Sequence, residues 1–234
     1  MPERIISQKL GSSNVYLIPG EKGYLLIDAG NPGRFHSFIK LLQKENITPD
    51  KITLILITHV HRDHVGNLQK IKDLTGAKVM VHQLESEWLA NGKVDVPNGT
   101  IPLYRFIAKM GQKRGVKLKF PPVEADIKVS GETSLKEFGH DAKVIHTPGH
   151  SIGSVSLFFD DGKAFVGDNC FNYPATKRTI LPGFAEDIPA LFDTWRFYLD
   201  SDIHTFYPGH GKPFGKEKIK RTFEVRGYLL KKDR

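Results

Sequence analysis

The sequence predicts an α/β fold in which two mixed β-sheets pack face to face with helices outside. Two strand-rich stretches, one in each half of the chain, are flanked by segments of helical periodicity. The run KITLILIT (51–58) is continuously apolar and β-branched, which suits a strand buried on both faces. No internal repeat and no low-complexity tract breaks this order.

Taken in order, RIISQKL, NVYLI and GYLLIDAG read as short strands separated by Gly, Ser and Asn turns. GRFHSFIKLLQKEN reads as a helix, because Phe35, Phe38, Ile39, Leu41 and Leu42 recur at helical spacing, with His36 facing solvent. Beyond the strand at 51–58, NLQKIKDLTG is a helix closed by Gly76 and AKVMVH another strand. From about 91 to 125 the pattern breaks into a run without strands, punctuated by Gly, Pro and Lys, with one amphipathic piece, IPLYRFIAKMGQ. So long a run is more often a functional insertion than a plain connection. Strands return in DIKVS, TSLKEFG, AKVIHT, SVSLFFDD and KAFVGD, and FDDGKAF has the Asp-Gly signature of a hairpin. EDIPALFDTWRFYLD is a helix with Ile188, Leu191, Phe192, Trp195, Tyr198 and Leu199 on one face. HTFYPGHG is a last short strand, and a basic helix closes the chain. Residues 1–234 are expected to form a single domain with a lid-like insertion at about 84–125.

A length of 234 residues suffices for one domain with a large core. No stretch approaches the roughly 20 apolar residues of a membrane span, and the opening MPERIISQKLGSSNVYLI lacks the layout of a secretory signal. A cytoplasmic protein is expected, with no membrane partner. The single cysteine, Cys170, excludes an internal disulfide and a cysteine-rich zinc site, and itself reads as a small buried apolar side chain. The net charge of +8 is unevenly spread. Residues 91–125 carry seven basic and two acidic side chains, and residues 211–234 carry nine and three. Solvated helix faces are the plainer reading of both runs; nucleic acid or an anionic substrate is the sharper one.

The chemistry is concentrated in ITHVHRDHVGN (57–67). His59 and His61 alternate at i and i+2, so both project to one side of an extended strand end. Asp63 and His64 follow as the chain turns. Imidazole and carboxylate together suit zinc or another borderline divalent ion. Three more candidates stand far along the chain, each beside glycine: His150 in HTPGHSIGS, Asp168 in FVGDN and His210 in YPGHGKPF. Glycine suits turns where the backbone passes close to a ligand. His146 is ambiguous, lying either in the core or against the site, while His82, His140 and His204 have less to recommend them.

These motifs, in this order, resemble the metallo-β-lactamase-fold hydrolase superfamily; the early Asp28 in LLIDAGNPG also matches, and the likeness runs from about 13 to 215. The resemblance implies an αβ/βα sandwich with a two-metal site at one edge of the sheets. It assigns His59, His61 and His150 to a first ion, and Asp63, His64 and His210 to a second, with Asp168 bridging. Asp28 would orient a ligand or the loop around it. Two divalent ions, zinc first and iron or manganese as alternatives, would acidify a water, and Asp63 would exchange its proton.

Within the superfamily, the ligand set reports reaction better than substrate. His64 and the lack of an export signal argue against a true class B β-lactamase. GDNCFNYPATKR departs from the glyoxalase II phrase after the bridging aspartate, and the short stretch after His210 leaves no room for that enzyme's helical extension. Lactonases fit the length and ligands; some use a tyrosine after the bridging aspartate to support an oxyanion, where this chain has Phe171 and then Tyr173. The expected reaction is hydrolysis of an ester, thioester or lactone. A phosphodiesterase acting on nucleotides or nucleic acid is the alternative, and an iron persulfide dioxygenase a further one, opposed by the complete second ligand set. Leu84, Trp88, Leu89, Ile101, Leu103, Tyr104, Phe106, Ile107 and Met110, with Phe192 and Trp195, would roof an apolar pocket. Arg105, Lys109, Lys113 and Arg114 would place cations at its rim for a small anionic substrate. The same apolar insertion would also suit a homodimer contact.

Overall fold

The computed structural model describes residues 4–173, 179–222 and 224. The first sheet is ordered β1-β2-β3-β4-β5-β8, from β1 (Ile6–Leu10), β2 (Ser13–Gly20), β3 (Gly23–Ile27), β4 (Ile52–Leu56), β5 (Lys78–His82) and β8 (Ile127–Val129). The second is ordered β14-β13-β12-β11-β10-β9, from β9 (Thr133–Ser134), β10 (Ala142–His146), β11 (Val155–Phe159), β12 (Lys163–Asn172), β13 (Thr205–Gly211) and β14 (Phe214–Gly215). Both sheets are mixed. β3, β4, β5 and β8 run parallel, as do β12 and β13, and the other pairs are antiparallel.

Alternation along the strands builds four layers. In β2, Val15 and Leu17 face outward onto α1 (Phe35–Lys44) and α3 (Leu68–Thr75), packing with Phe38, Leu41, Leu42, Leu68 and Ile71. Tyr16 and Ile18 point the other way, between the sheets, with Leu54, Leu56, Val144, Leu157 and Phe165. The far face of the second sheet buries Ala164, Val166 and Phe206 against Leu191, Phe192, Trp195 and Tyr198 of α6 (Ile188–Asp200). Three buried clusters thus separate helix, sheet, sheet and helix, the αβ/βα sandwich that the two strand-rich halves imply.

Local signals account for the helix ends. Gly76 stops α3 in the left-handed conformation at φ 69°. Asp187 caps α6 by accepting a hydrogen bond from the Ala190 N–H, with proline in the first turn. Residues 216–222 are helical, as the basic closing segment suggests, and residues 225–234 lie outside the described ones.

Three expectations are corrected. The segment 91–125 is not free of strands: β6 (Lys93–Asp95) pairs antiparallel with β7 (Lys117–Lys119) around α5 (Pro102–Lys113). TSLKEFG forms only the two-residue β9 and then a 3₁₀ turn at Lys136–Phe138, closed by Gly139 at φ 85°. KAFVGD does not end at its aspartate; β12 continues to Asn172, with register shifts on either side of Gly167.

Candidate metal centre

Two loops, one short helix and two strands bring seven side chains together. The turn after β4 carries His59 and His61, and the four-residue α2 (Arg62–Val65) carries Asp63 and His64. His150 lies between β10 and β11, Asp168 in the irregular stretch of β12, and His210 in β13. Close approach dictates glycine here. A Cβ on Gly209 would lie 2.2 Å from Asp168 Oδ1 and 2.7 Å from His64 Cε1.

The donor atoms fall into three groups, each within 4.8 Å: His59, His61 and His150; His59, His64 and Asp168; Asp63, His64 and His210. His61 Nδ1 stands 2.9 Å from His150 Nε2. Asp168 Oδ2 lies 3.7 Å from His59 Nε2, 3.6 Å from His150 Nε2 and 3.3 Å from His210 Nε2. Asp168 Oδ1 lies 3.3 Å from His64 Nε2. His210 Nε2 is 3.2 Å from Asp63 Oδ2. Asp168 therefore touches both clusters, and all seven residues predicted as ligands converge.

The donor set fits a pair of divalent cations. His59 Nε2 and Asp168 Oδ1, both within the cluster, are buried with no hydrogen-bond partner among the described residues, which is costly for groups that no cation satisfies. Charge divides the two ends. Burial and neighbouring imidazoles lower His59 well below the usual histidine value, take His61 down to about 3 and lower His150. Burial pulls the same way on His64 and His210, but Asp168 with Asp28 and Asp63 overrides it at His64, which is raised well above its usual value. Asp168 and Asp63 likewise bring His210 up to about 9. Against burial, His64 and His210 hold Asp63 and Asp168 below the ordinary carboxylate range.

Residues behind the cluster fix its tautomers. Asp28, at φ 59°, accepts from His64 Nδ1 at 2.8 Å and from the Thr58 N–H at 2.9 Å. The Thr58 hydroxyl also donates to Asp28, leaving its oxygen, 3.1 Å from His59 Nδ1, to accept from that ring. One carboxylate thus orients two imidazoles, aiming each Nε2 at the cluster. His150 Nδ1 donates to Phe184 O, and His210 Nδ1 to Ser12 O, at 3.0 and 2.9 Å. The Ser12 hydroxyl also lies 3.2 Å from Asp63 Oδ2.

The remaining candidates are placed differently. The Tyr173 hydroxyl is 2.7 Å from His210 Nδ1, the ring nitrogen turned away from the carboxylates. Trp195 lines no pocket: it is 0% exposed, and its Nε1–H donates to Asn169 O from the α6 core. Leu89 and Phe192 are likewise core, whereas Leu103, Phe106 and Ile107 are exposed, so the predicted apolar roof does not form from these side chains. Tyr104 packs edge-on against Phe184, whose carbonyl holds His150, and Arg105 is exposed. The insertion therefore abuts the cluster through the segment 182–186, which also bonds Asn98 and Thr100. His146 stacks on His82 at 4.1 Å and bonds Ile152 O, apart from the ligands. Cys170 is fully buried.

Sequence reasoning missed Ser12, Thr58, Glu85 and Asn169. Asn169 accepts from the His150 N–H and donates to Thr147 and the Tyr198 hydroxyl. Glu85, 0% exposed, accepts from the Val60 and Gly153 N–H groups and the Ser151 hydroxyl. Burial raises its carboxyl to about 7 against those three donors. No helix among the described residues is long and apolar enough to cross a membrane.

Known proteins resemble this chain in sequence and in fold. Over 171 residues the chain is 29% identical to "Probable metallo-hydrolase YqgX" of Bacillus subtilis, spanning 73% of this chain and 72% of that protein. Over 202 residues it is 29% identical to "Probable metallo-hydrolase MJ0888" of Methanocaldococcus jannaschii, spanning 86% and 88%. The archaeal metallo-beta-lactamase superfamily protein ST1585 from Sulfolobus tokodaii superposes with TM-score 0.68 at 22% identity, covering 96% of this chain and 86% of that one. TTHA1623, solved in a di-iron-bound form, superposes with TM-score 0.66 at 24% identity, covering 93% and 98%. These two likenesses concern the fold. Residues 9–210 match the family model of the metallo-beta-lactamase superfamily, and the chain belongs to that superfamily.

Proposed function

We propose that this protein is a dinuclear metal-dependent hydrolase acting on a small ester, thioester or lactone with an anionic portion. One observation carries the reading: two donor clusters meet on Asp168, with His59 Nε2 and Asp168 Oδ1 buried there and lacking a hydrogen-bond partner among the described residues. His59, His61 and His150 would hold one ion, Asp63, His64 and His210 the other, and Asp168 would lie between them. Bound divalent ions supply Lewis acidity, acidifying a water and polarising the group it attacks. Zinc suits the histidine and carboxylate donors, and iron and manganese share that preference closely enough to be assayed beside it.

The chain's own residues do the rest. Asp63 is the one ligand candidate open to solvent, its side chain 29% exposed against 5% or less for Asp168, His59, His64, His150 and His210. That exposure supports Asp63 as the group that would exchange a proton with the nucleophile and the leaving group or water. Asp28 and the Thr58 hydroxyl accept from Nδ1 of His64 and His59, so Nε2 would be the nitrogen each ring offers to an ion once any proton there has left. The cations of α5 and its flanks, Arg105, Lys109, Lys113 and Arg114, are all exposed and supply the attraction for an anionic portion.

A panel of lactones, thioesters, aryl esters and bis-p-nitrophenyl phosphate, run with zinc-, iron- and manganese-loaded protein, tests the reading. Turnover of a carbonyl substrate that His59→Ala abolishes is expected. Turnover confined to the phosphodiester would replace the carbonyl assignment with phosphorus chemistry. Undiminished turnover by His59→Ala would remove the proposed site.

A further inference from the structure

The buried carboxylate of Glu85 has no place in the chemistry just described, and a charge-bearing group is rarely enclosed without a task. Its surroundings identify one. Glu85 follows β5 and directly precedes α4 (Ser86–Asn91). Its Oε2 accepts from the N–H of Val60, the residue between His59 and His61, at 2.5 Å. Its Oε1 accepts from the Ser151 hydroxyl at 2.5 Å and the Gly153 N–H at 2.9 Å, in the loop that carries His150. That loop is pressed onto the side chain, since a Cβ on Gly153 would fall 2.7 Å from Glu85 Cγ.

The two loops are far apart in sequence, and Glu85 belongs to neither. We infer that Glu85 is a positioning residue, a strut whose two oxygens set the spacing between the His59/His61 loop and the His150 loop, and hence the geometry of the first metal site. The inference rests on the two-ion reading above. It deepens that reading by giving the first site a brace that the second does not share, beside the Asp28 carboxylate that reaches both through His64 and Thr58. The second site leans on other groups: Asp28 on His64, Ser12 on both Asp63 and His210, and Tyr173 on His210. None of these is a hydrogen-bond partner of the Glu85 carboxylate, which is held by Val60, Ser151 and Gly153.

Glutamine is the discriminating replacement. It keeps the volume and one acceptor oxygen, but its amide nitrogen would face either the Val60 N–H or the Gly153 N–H, donor against donor. The strut then fails at one end while the core remains filled. Zinc titration against a competing chelator, read together with metal content per chain and thermal unfolding, tests the inference on full-length protein. In Glu85→Gln the first-site affinity is expected to fall roughly 10- to 100-fold, the usual effect of losing an outer-shell partner. Second-site affinity should stay within about twofold, since outer-shell losses act through the ligands they touch. Equal weakening of both sites, or of neither, would overturn the inference.

Should Glu85→Gln fail to fold, Ser151→Ala removes one of the two contacts between Glu85 and the His150 loop and is expected to weaken the first site several-fold with the second unchanged. An unchanged first site in that variant would overturn the inference equally. Ser12→Ala provides the mirror image, weakening the second site and sparing the first. Wild-type protein that binds no zinc would instead refute the two-ion reading itself, so the two failures are distinguishable.

Discussion

Raising the pH from 6.5 to 9 should strengthen metal binding at one end of the cluster and leave the other end nearly unchanged. A histidine must shed its proton before it can donate a lone pair to a metal, so proton and metal compete. At the first end the competition is already over. His61 is lowered to about 3, and His59 and His150 are lowered too, chiefly by burial and by the imidazoles beside them. At the second end, Asp168 and Asp63 keep a proton on His210 up to about 9, and His64 is raised well above its usual value. The sign follows: protons occupy the second site at neutral pH, and its affinity climbs as they leave. A group with a pKa of about 9 is ready to ligate in about 1 molecule in 100 at pH 7 and about 1 in 10 at pH 8. His210 alone therefore predicts about a tenfold gain in second-site affinity per pH unit below 9, and His64 steepens that slope. Competitive zinc titrations at half-unit intervals would yield the two slopes. Calorimetry in two buffers of different ionisation enthalpy would count the protons released. Parallel slopes at the two sites, or a flat second site, would refute the electrostatic division of the cluster.

Two substitutions probe the framework behind the ligands. Asp28→Asn loses a carboxylate that accepts from His64 Nδ1, the Thr58 N–H and the Thr58 hydroxyl; second-site zinc affinity should fall roughly 10- to 100-fold by chelator competition, and an unchanged value would remove Asp28 from the orienting role. Trp195→Ala empties a fully buried position and leaves the Asn169 carbonyl without its donor, so urea unfolding should show a loss of about 3–5 kcal/mol; a loss below about 1 kcal/mol would contradict its placement in the α6 core.

The seven candidates that converge were legible because each stands in a short motif with its own local reason. His59 and His61 follow a run that suits a buried strand, and His150, Asp168 and His210 each adjoin a glycine that close approach demands. Helix α6 was legible from spacing alone, but spacing does not say which apolar surface a buried face meets. Trp195 was accordingly assigned to a pocket when it packs into the core. The β6–β7 ribbon escaped notice because two three-residue strands pair across an intervening helix, leaving no local alternation to detect. TSLKEFG misled for a related reason: Leu135 and Phe138 are three residues apart, a spacing that a 3₁₀ turn satisfies better than a strand. Glu85 was invisible for a deeper one. In HQLESEWL it looks like any acid on a helix, and only the approach of loops from distant parts of the chain makes it a buried strut.

The central claim is that two cations sit side by side in this cluster. Anomalous diffraction from crystals of the zinc-loaded protein tests it most directly. The account predicts two peaks, one among His59, His61 and His150 and one among Asp63, His64 and His210, with Asp168 contacting both. A single peak, or peaks held by other residues, would contradict it.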